Sequence, residues 1–217
     1  MANKYPTITT PRGVFIFPHL TAPDTKFVKP DGEYHTKFAL PADDAATTKL
    51  QAELTRLMEE YIEANDNELK PAVIKKALRA DLWEDELDDE GEETGRVIFK
   101  FKLKAKVETK TKSWEQKPRL FDSAAQPIQG EPNIWTGSEG KVNVEVFPYF
   151  MQSSKTFGLS LRCVGAQILK LVEGSGGPDA SAMGFGAEED GYVANDSGFD
   201  DETAVAGGEG SSDEEEF

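Results

Sequence analysis

From residue 97 to residue 107 the chain alternates: Val97, Phe99, Phe101, Leu103, Ala105 and Val107 on one side, Lys100, Lys102, Lys104 and Lys106 on the other. A period of two sustained over eleven residues is the signature of a strand with one buried and one solvated face. A chain carrying such a strand must supply other elements to cover the apolar side. Those elements fix the fold class.

Residues 13–17 form a short apolar run, which Pro18 ends or marks as an edge strand. Lys29-Pro30-Asp31-Gly32 is a turn signal. Residues 33–40 read as a strand with Tyr34, Thr36, Phe38 and Leu40 on one face, stopped by Pro41. Asp43 is the expected N-cap of a helix, with Asp44 in its first turn. Ala46, Leu50, Leu54, Leu57, Met58, Tyr61 and Ile62 then follow at helical spacing to about Ala64. Asn65-Asp66-Asn67 breaks the helix, and Pro71 opens a shorter one carrying Ile74, Leu78 and Leu82. Residues 84–93 read as a solvated acidic loop. Further strands are expected over 119–122, 141–150 and 157–172, the last bending near Gly165. Five to seven strands with one long helix suit a small closed or partly open barrel. A βαβ array would place a helix between successive strands.

Gly174-Ser175-Gly176-Gly177 is a flexible linker. It divides the chain into a folded domain, residues 1–173, and a tail, residues 174–217, expected to be disordered for lack of apolar periodicity. The net charge of −16 opposes nucleic-acid binding only until it is divided along the chain. Residues 178–217 hold thirteen acids and no base, leaving 27 acids and 24 bases in residues 1–177. Residues 81–93 add nine acids and no base, whereas residues 96–119 hold nine bases and two acids. A basic stripe therefore lies between two acidic blocks.

Several function classes fall away. Cys163 is the single cysteine, so no intramolecular disulfide forms and a reducing compartment is expected. Residues 1–12 lack an apolar signal core, and the apolar runs are too short to span a bilayer. A soluble, cytoplasmic protein with no membrane contact is expected. One cysteine with His19 and His35 does not make a structural zinc site of the usual kinds, and no EF-hand loop is present. Ser138-Glu139-Gly140-Lys141 fits S-x-x-K but sits in a glycine-rich turn without its companion motifs. There is no Walker A or dinucleotide fingerprint. No enzyme, cofactor or metal is expected.

Alternate residues on one strand face lie about 6.6–6.8 Å apart, near the phosphate spacing of an extended single strand. Lys100, Lys102, Lys104 and Lys106 thus match a DNA backbone, extended by Lys110, Lys112 and Arg119. The plain alternative is lysines that discourage edge pairing. Aromatic side chains favour the first reading. Trp114 lies between Lys112 and Lys117, and Tyr149 follows Pro148 beside a polar turn, where bases stack while lysines meet phosphates. Phe99, Phe101, Phe147 and Phe157 are expected in the core. The tail ends Asp213-Glu214-Glu215-Glu216-Phe217. A terminal aromatic behind a carboxylate run suits a docking peptide better than a solubilising brush, and such a tail also competes for a basic groove.

These features together resemble the single-stranded DNA-binding proteins of tailed phages, typified by the T-odd coliphages. The resemblance rests on residues 34–41 followed by the helix, Val97-Ile98-Phe99-Lys100-Phe101-Lys102, and the Val146-Phe147-Pro148-Tyr149 turn. It extends to Gly176-Gly177, Gly191-Tyr192-Val193-Ala194 and the acidic end. It implies a mainly β fold, an OB-fold barrel with an inserted α-helix and an acidic C-terminal tail. It implies binding of single-stranded DNA in phage replication, recombination and repair, with strand annealing, in an infected bacterial host cell. By the same resemblance the tail contacts the replicative polymerase and the helicase/primase and can mediate a homodimer. Tyr149 takes the place of the family's stacking tyrosine, whereas Met151 stands where the family often has tryptophan. Lys75, Lys76 and Arg79 stand in the basic helix-to-strand connection. Two rival readings are an acidic DNA mimic that inhibits a DNA-binding enzyme and a metal-dependent nuclease.

Overall fold

The computed structural model describes residues 5–26, 28–64 and 76–172. In chain order they form β1 (Thr7–Thr9), β2 (Gly13–Asp24), β3 (Glu33–Pro41), α1 (Ala45–Ala64), β4 (Leu78–Arg79), β5 (Glu84–Leu87), β6 (Glu93–Lys104), β7 (Lys106–Glu108), β8 (Ser113–Glu115), β9 (Arg119–Phe121), β10 (Glu139–Met151) and β11 (Thr156–Lys170). The linker at 174–177 and the acidic segment 178–217 with Asp213, Glu214, Glu215, Glu216 and Phe217 lie outside the described residues, as do Ile74 and Lys75.

Five long strands close on themselves. β10 pairs with β2, β2 with β3, β3 with β6, β6 with β11, and β11 with β10 again. Every pairing in this ring is antiparallel except β6 with β11, which run parallel through Lys102 and Arg162. This is the five-stranded OB-fold barrel, with α1 inserted between its second and third strands. Closure brings β2 and β10 together at Gly13 and Gly140, which are register partners. A Cβ on Gly13 would stand 2.6 Å from the Ala39 carbonyl oxygen, and one on Gly140 2.2 Å from that of Gln167. Only glycine admits that approach.

Inside, Phe15, Phe38, Phe99, Phe101 and Phe157 are fully buried. α1 adds Leu50, Leu54, Met58 and Ile62, spaced four apart on one face, with the last two against Phe157. Burying a phenylalanine stabilises by about 1.5–3 kcal/mol, whereas an exposed ion pair contributes at most about 1 kcal/mol. The aromatic core therefore holds the barrel, and its outer charges are available for other uses. Cys163 belongs to this core, and burial pushes its thiol up to about 12, which leaves it inert. Among the described residues, no helix is long and apolar enough to cross a membrane.

The structure departs from the sequence reading at several points. Asp44, not Asp43, caps α1: its carboxylate accepts the Thr47 N–H at 3.3 Å and its carbonyl that of Thr48 at 3.0 Å. Thr47 is buried where Ala46 was expected, and Ala46 is exposed. Pro18 does not end its strand. β2 runs through it to Asp24, and the register with β3 shifts between Ile16 and His19, the bulge that accommodates a proline. The expected second helix fails at Leu78 and Leu82, because β4 pairs with β11 and leaves Leu78 exposed. The acidic loop is partly a strand, since β5 pairs with β6. Eleven strands form among the described residues rather than five to seven, the surplus being short edge pieces. Pro148 and Tyr149 lie within β10, in line with the strand expected over 141–150, so residues 146–149 are not the turn that the resemblance implies. The expected bend near Gly165 is present as a register irregularity opposite Asn143 and Val144. Ser138 is buried; its Oγ accepts the Val172 N–H at 2.9 Å and donates to the Val172 carbonyl at 3.3 Å. That accounts for it structurally.

Candidate nucleic-acid interface

On β6 the alternation places Phe99, Phe101 and Leu103 inside and Lys100, Lys102 and Lys104 on the outer surface. Across on β3, Lys37 partners Lys100, His35 partners Lys102, and Glu33 partners Lys104. These lysines are not equivalent. The Lys100 ammonium donates to Glu84 at 2.6 Å, and Lys37 lies 3.9 Å from the same carboxylate. Glu84 belongs to β5, so the acidic stretch lies beside the basic strand and neutralises one end of it. Next along β5, Glu86 binds Arg96 at 2.7 Å and Thr94 at 2.6 Å. Partial burial works against its charge, but these two partners outweigh it and hold the carboxyl below its usual range. Lys102 and Lys104 are exposed and form no ion pair with any described residue.

Lys106 departs from the expected stripe. Strand β6 ends at Lys104, and Lys106 starts β7, which pairs with β8 in a separate two-stranded sheet. Its ammonium lies 2.7 Å from Glu108 and 3.8 Å from Asp31. The hydrogen bond to Glu108 and then the Asp31 charge hold its pKa above the ordinary value. Lys110 and Lys112 sit exposed on the turn of this hairpin, closed by Thr109, whose N–H donates to the Lys112 carbonyl at 2.8 Å. Trp114, opposite Val107, is 46% exposed. The hairpin is tied to the barrel by Gln116, whose side-chain amide donates to the Lys104 carbonyl at 2.9 Å. An open cleft of about 430 Å³ lies at its base, lined by Pro23, Asp31, Tyr34, Lys106 and Lys117. Arg119 is exposed on β9, next to Gly165 of β11, and has no ion pair among the described residues.

Tyr149 lies on the outer face of β10 opposite Gly158 of β11. Its ring covers that glycine so closely that a Cβ there would stand 2.2 Å from the tyrosine Cζ. Gly158 is what lets the ring lie down on the sheet. Four residues along β11, about 13 Å, Arg162 partners Lys102. Tyr149, Lys102 and Lys104 therefore share the outer surface of the barrel. Replacing Gly158 with alanine should tilt the Tyr149 ring off the sheet. We expect weaker binding of a thymine oligonucleotide with little change in melting temperature, measured by fluorescence titration and thermal denaturation.

Phe147 is not core as expected. It faces outward between Tyr5, at 4.7 Å between rings, and the Arg162 guanidinium, 3.7 Å above its centroid. Phe99, Phe101 and Phe157 are buried as expected. Arg79 makes two 2.9 Å hydrogen bonds to Glu59 of α1. Two features escaped sequence reasoning. Phe17, at the bulge with φ 48°, is 68% exposed although it ends an apolar run. His19, Asp24 and His35 converge on the outer face, with ligand-type atoms within 4.8 Å of one another. The signal for the second was the pairing of two strands, which spacing in sequence does not carry.

The family model for the single-stranded DNA-binding protein of bacteriophage T7 matches residues 14–171. No curated protein matches the chain closely in sequence. Among solved structures, gp2.5, a single-stranded DNA-binding protein encoded by bacteriophage T7, superposes with a TM-score of 0.61 at 23% identity, over 88% of this chain and 100% of that one. The single-stranded DNA-binding protein of bacteriophage Enc34, solved with single-stranded DNA, gives 0.52 at 11% identity over 77% and 88%. The same Enc34 protein in a separate structure gives 0.50 at 13% over 82% and 90%. At these identities the structural likeness speaks for the fold.

Proposed function

This chain belongs to the bacteriophage T7-type family of single-stranded DNA-binding proteins, and we propose that it binds single-stranded DNA without regard to sequence on the outer face of its barrel. The observation that carries the reading is the pair Lys102 and Lys104, exposed and without an ion pair among the described residues, on the same surface as the Tyr149 ring. Cations spaced along a strand meet phosphates, and a ring lying on the sheet gives a base something to stack on. Lys110, Lys112, Trp114 and Arg119 extend the contact. Lys100 and Lys106 contribute less, because carboxylates already hold their ammonium groups. The protein acts by binding and not by catalysis.

We extend the proposal to a wider role, which the family and the sequence support. Residues 1–173 are the DNA-binding domain and residues 174–217 the linker and acidic tail. The tail, through Asp213, Glu214, Glu215, Glu216 and Phe217, recruits the replicative polymerase and the helicase/primase, supports a homodimer, and competes with DNA for the basic face. The protein serves replication, recombination and repair in the cytoplasm of the infected bacterium, and promotes strand annealing.

Truncation after Gly177 tests this. A tail at about millimolar effective concentration, with a dissociation constant of about 0.1 mM for the basic face, suppresses binding about tenfold. Titration of a thymine 30-mer should show the truncated chain binding about tenfold tighter at low salt. A DNA mimic would instead lose its activity with the tail. Absence of binding by both forms would sink the proposal.

A further inference from the structure

We propose that His19, Asp24 and His35 form a binding site for a divalent transition-metal ion, with zinc the best chemical match. The only two histidines of the chain come together because β2 and β3 pair, with His19 and His35 as register partners beyond the bulge. Their ring centroids are 4.7 Å apart. Asp24 closes the third side, its Oδ2 lying 3.4 Å from Nε2 of His35. Its other oxygen, Oδ1, accepts the Lys26 N–H at 2.8 Å, which fixes the carboxylate.

The geometry fits one ion. Donors bound tetrahedrally to zinc at about 2.0–2.2 Å lie about 3.3 Å from one another. The Asp24–His35 pair is already at that separation. One donor atom from each of the three residues falls within 4.8 Å of the others, so closing the set takes a movement of about 1.5 Å or less. His19 is exposed and free to make that movement by rotating its side chain. Two imidazoles and one carboxylate suit zinc, nickel or copper, whereas magnesium and calcium prefer all-oxygen sites. Three protein ligands on an outer surface leave the fourth position to water. This is an open site, distinct in kind from the four-ligand structural sites that one cysteine and two histidines rule out. Glu33, the register partner of Asp24, adds a carboxylate nearby, and Lys102, opposite His35, adds a positive charge.

The test is zinc titration of the full chain, followed by calorimetry and by competition with a zinc-sensitive dye. Excess magnesium is present to occupy the carboxylates of the acidic segment. The expected result is one saturable zinc site per chain. His19→Asn and His35→Gln should each weaken it at least about tenfold, a loss that even an outer-shell partner can produce. Asp24→Asn should weaken it as well. Circular dichroism on each variant separates loss of the site from loss of the fold, and His19, being exposed, keeps the test clean if the other substitutions unfold the barrel. Zinc affinity unchanged by His19→Asn and by His35→Gln would overturn the proposal. So would the absence of saturable zinc binding, in which case the cluster is a histidine pair and an ion pair only.

Discussion

Replacing both Lys102 and Lys104 with alanine should weaken binding of a thymine 30-mer about sixtyfold at about 50 mM salt. The figure follows from counterion release. Each phosphate contact on a single strand contributes about −0.7 to the slope of log K against log salt, which is about 0.9 of a decade between 1 M and 50 mM. Two contacts give about 1.8 decades, and the slope itself should flatten by about 1.4. The same substitutions at Lys100 and Lys106 should cost under about tenfold. Those ammonium groups are held by Glu84 and by Glu108 with Asp31, so DNA must displace a carboxylate before it gains the contact. Salt-dependent titrations of the two double variants check both numbers. Equal losses would mean that DNA does not distinguish paired from unpaired lysines.

Tyr149→Ala should lose the stacking contribution of one base, about 1–3 kcal/mol, or about five- to 150-fold in affinity. Its salt slope should stay unchanged, because no phosphate contact is removed. Tyr149→Phe keeps the ring and should bind almost as the native chain does. A loss shared equally by Tyr149→Phe would assign the effect to the hydroxyl instead. Because the ring also covers Gly158, melting temperatures of both variants separate a binding defect from a packing defect.

The fold was legible wherever one strand or helix carries its own periodicity. The alternation around Phe99 and Phe101, the four-residue spacing from Leu50 to Ile62, and the turn at Pro30 and Gly32 are local facts of the chain, and each is present in the structure. What was not legible depends on a neighbour. Residues 84–87 look like solvated acids until β6 is beside them, where backbone pairing makes a strand of a segment with poor strand propensity. Pro18 and Pro148 punctuate the sequence but not the strands. Pro18 sits in a bulge. Pro148 lies two residues beyond Val146, whose N–H donates to the Pro6 carbonyl, and continues β10 to Met151.

The candidate site shows the same division. That lysines alternate on β6 is a one-dimensional fact, and reading them as a basic strip needs nothing more. Which of them remain available for DNA is a lateral question. Lys100 meets Glu84 of β5, and Lys106 meets Asp31 of a loop as well as Glu108 of its own strand, while Lys102 and Lys104 meet no carboxylate among the described residues. Extrapolating the strip to Lys106 failed because the chain leaves the barrel at Ala105 to build the β7–β8 hairpin. The meeting of His19, Asp24 and His35 is lateral too, set by strand register across a bulge.

Photocrosslinking of a thymine 30-mer to the full chain, with the crosslinked residues located by mass spectrometry, tests most directly whether the outer face of the barrel holds the DNA. Crosslinks are expected at Tyr149 and Trp114, lost in the presence of high salt. Crosslinks confined to α1 or to Phe17 and Trp135, with none at Tyr149 or Trp114, would contradict it.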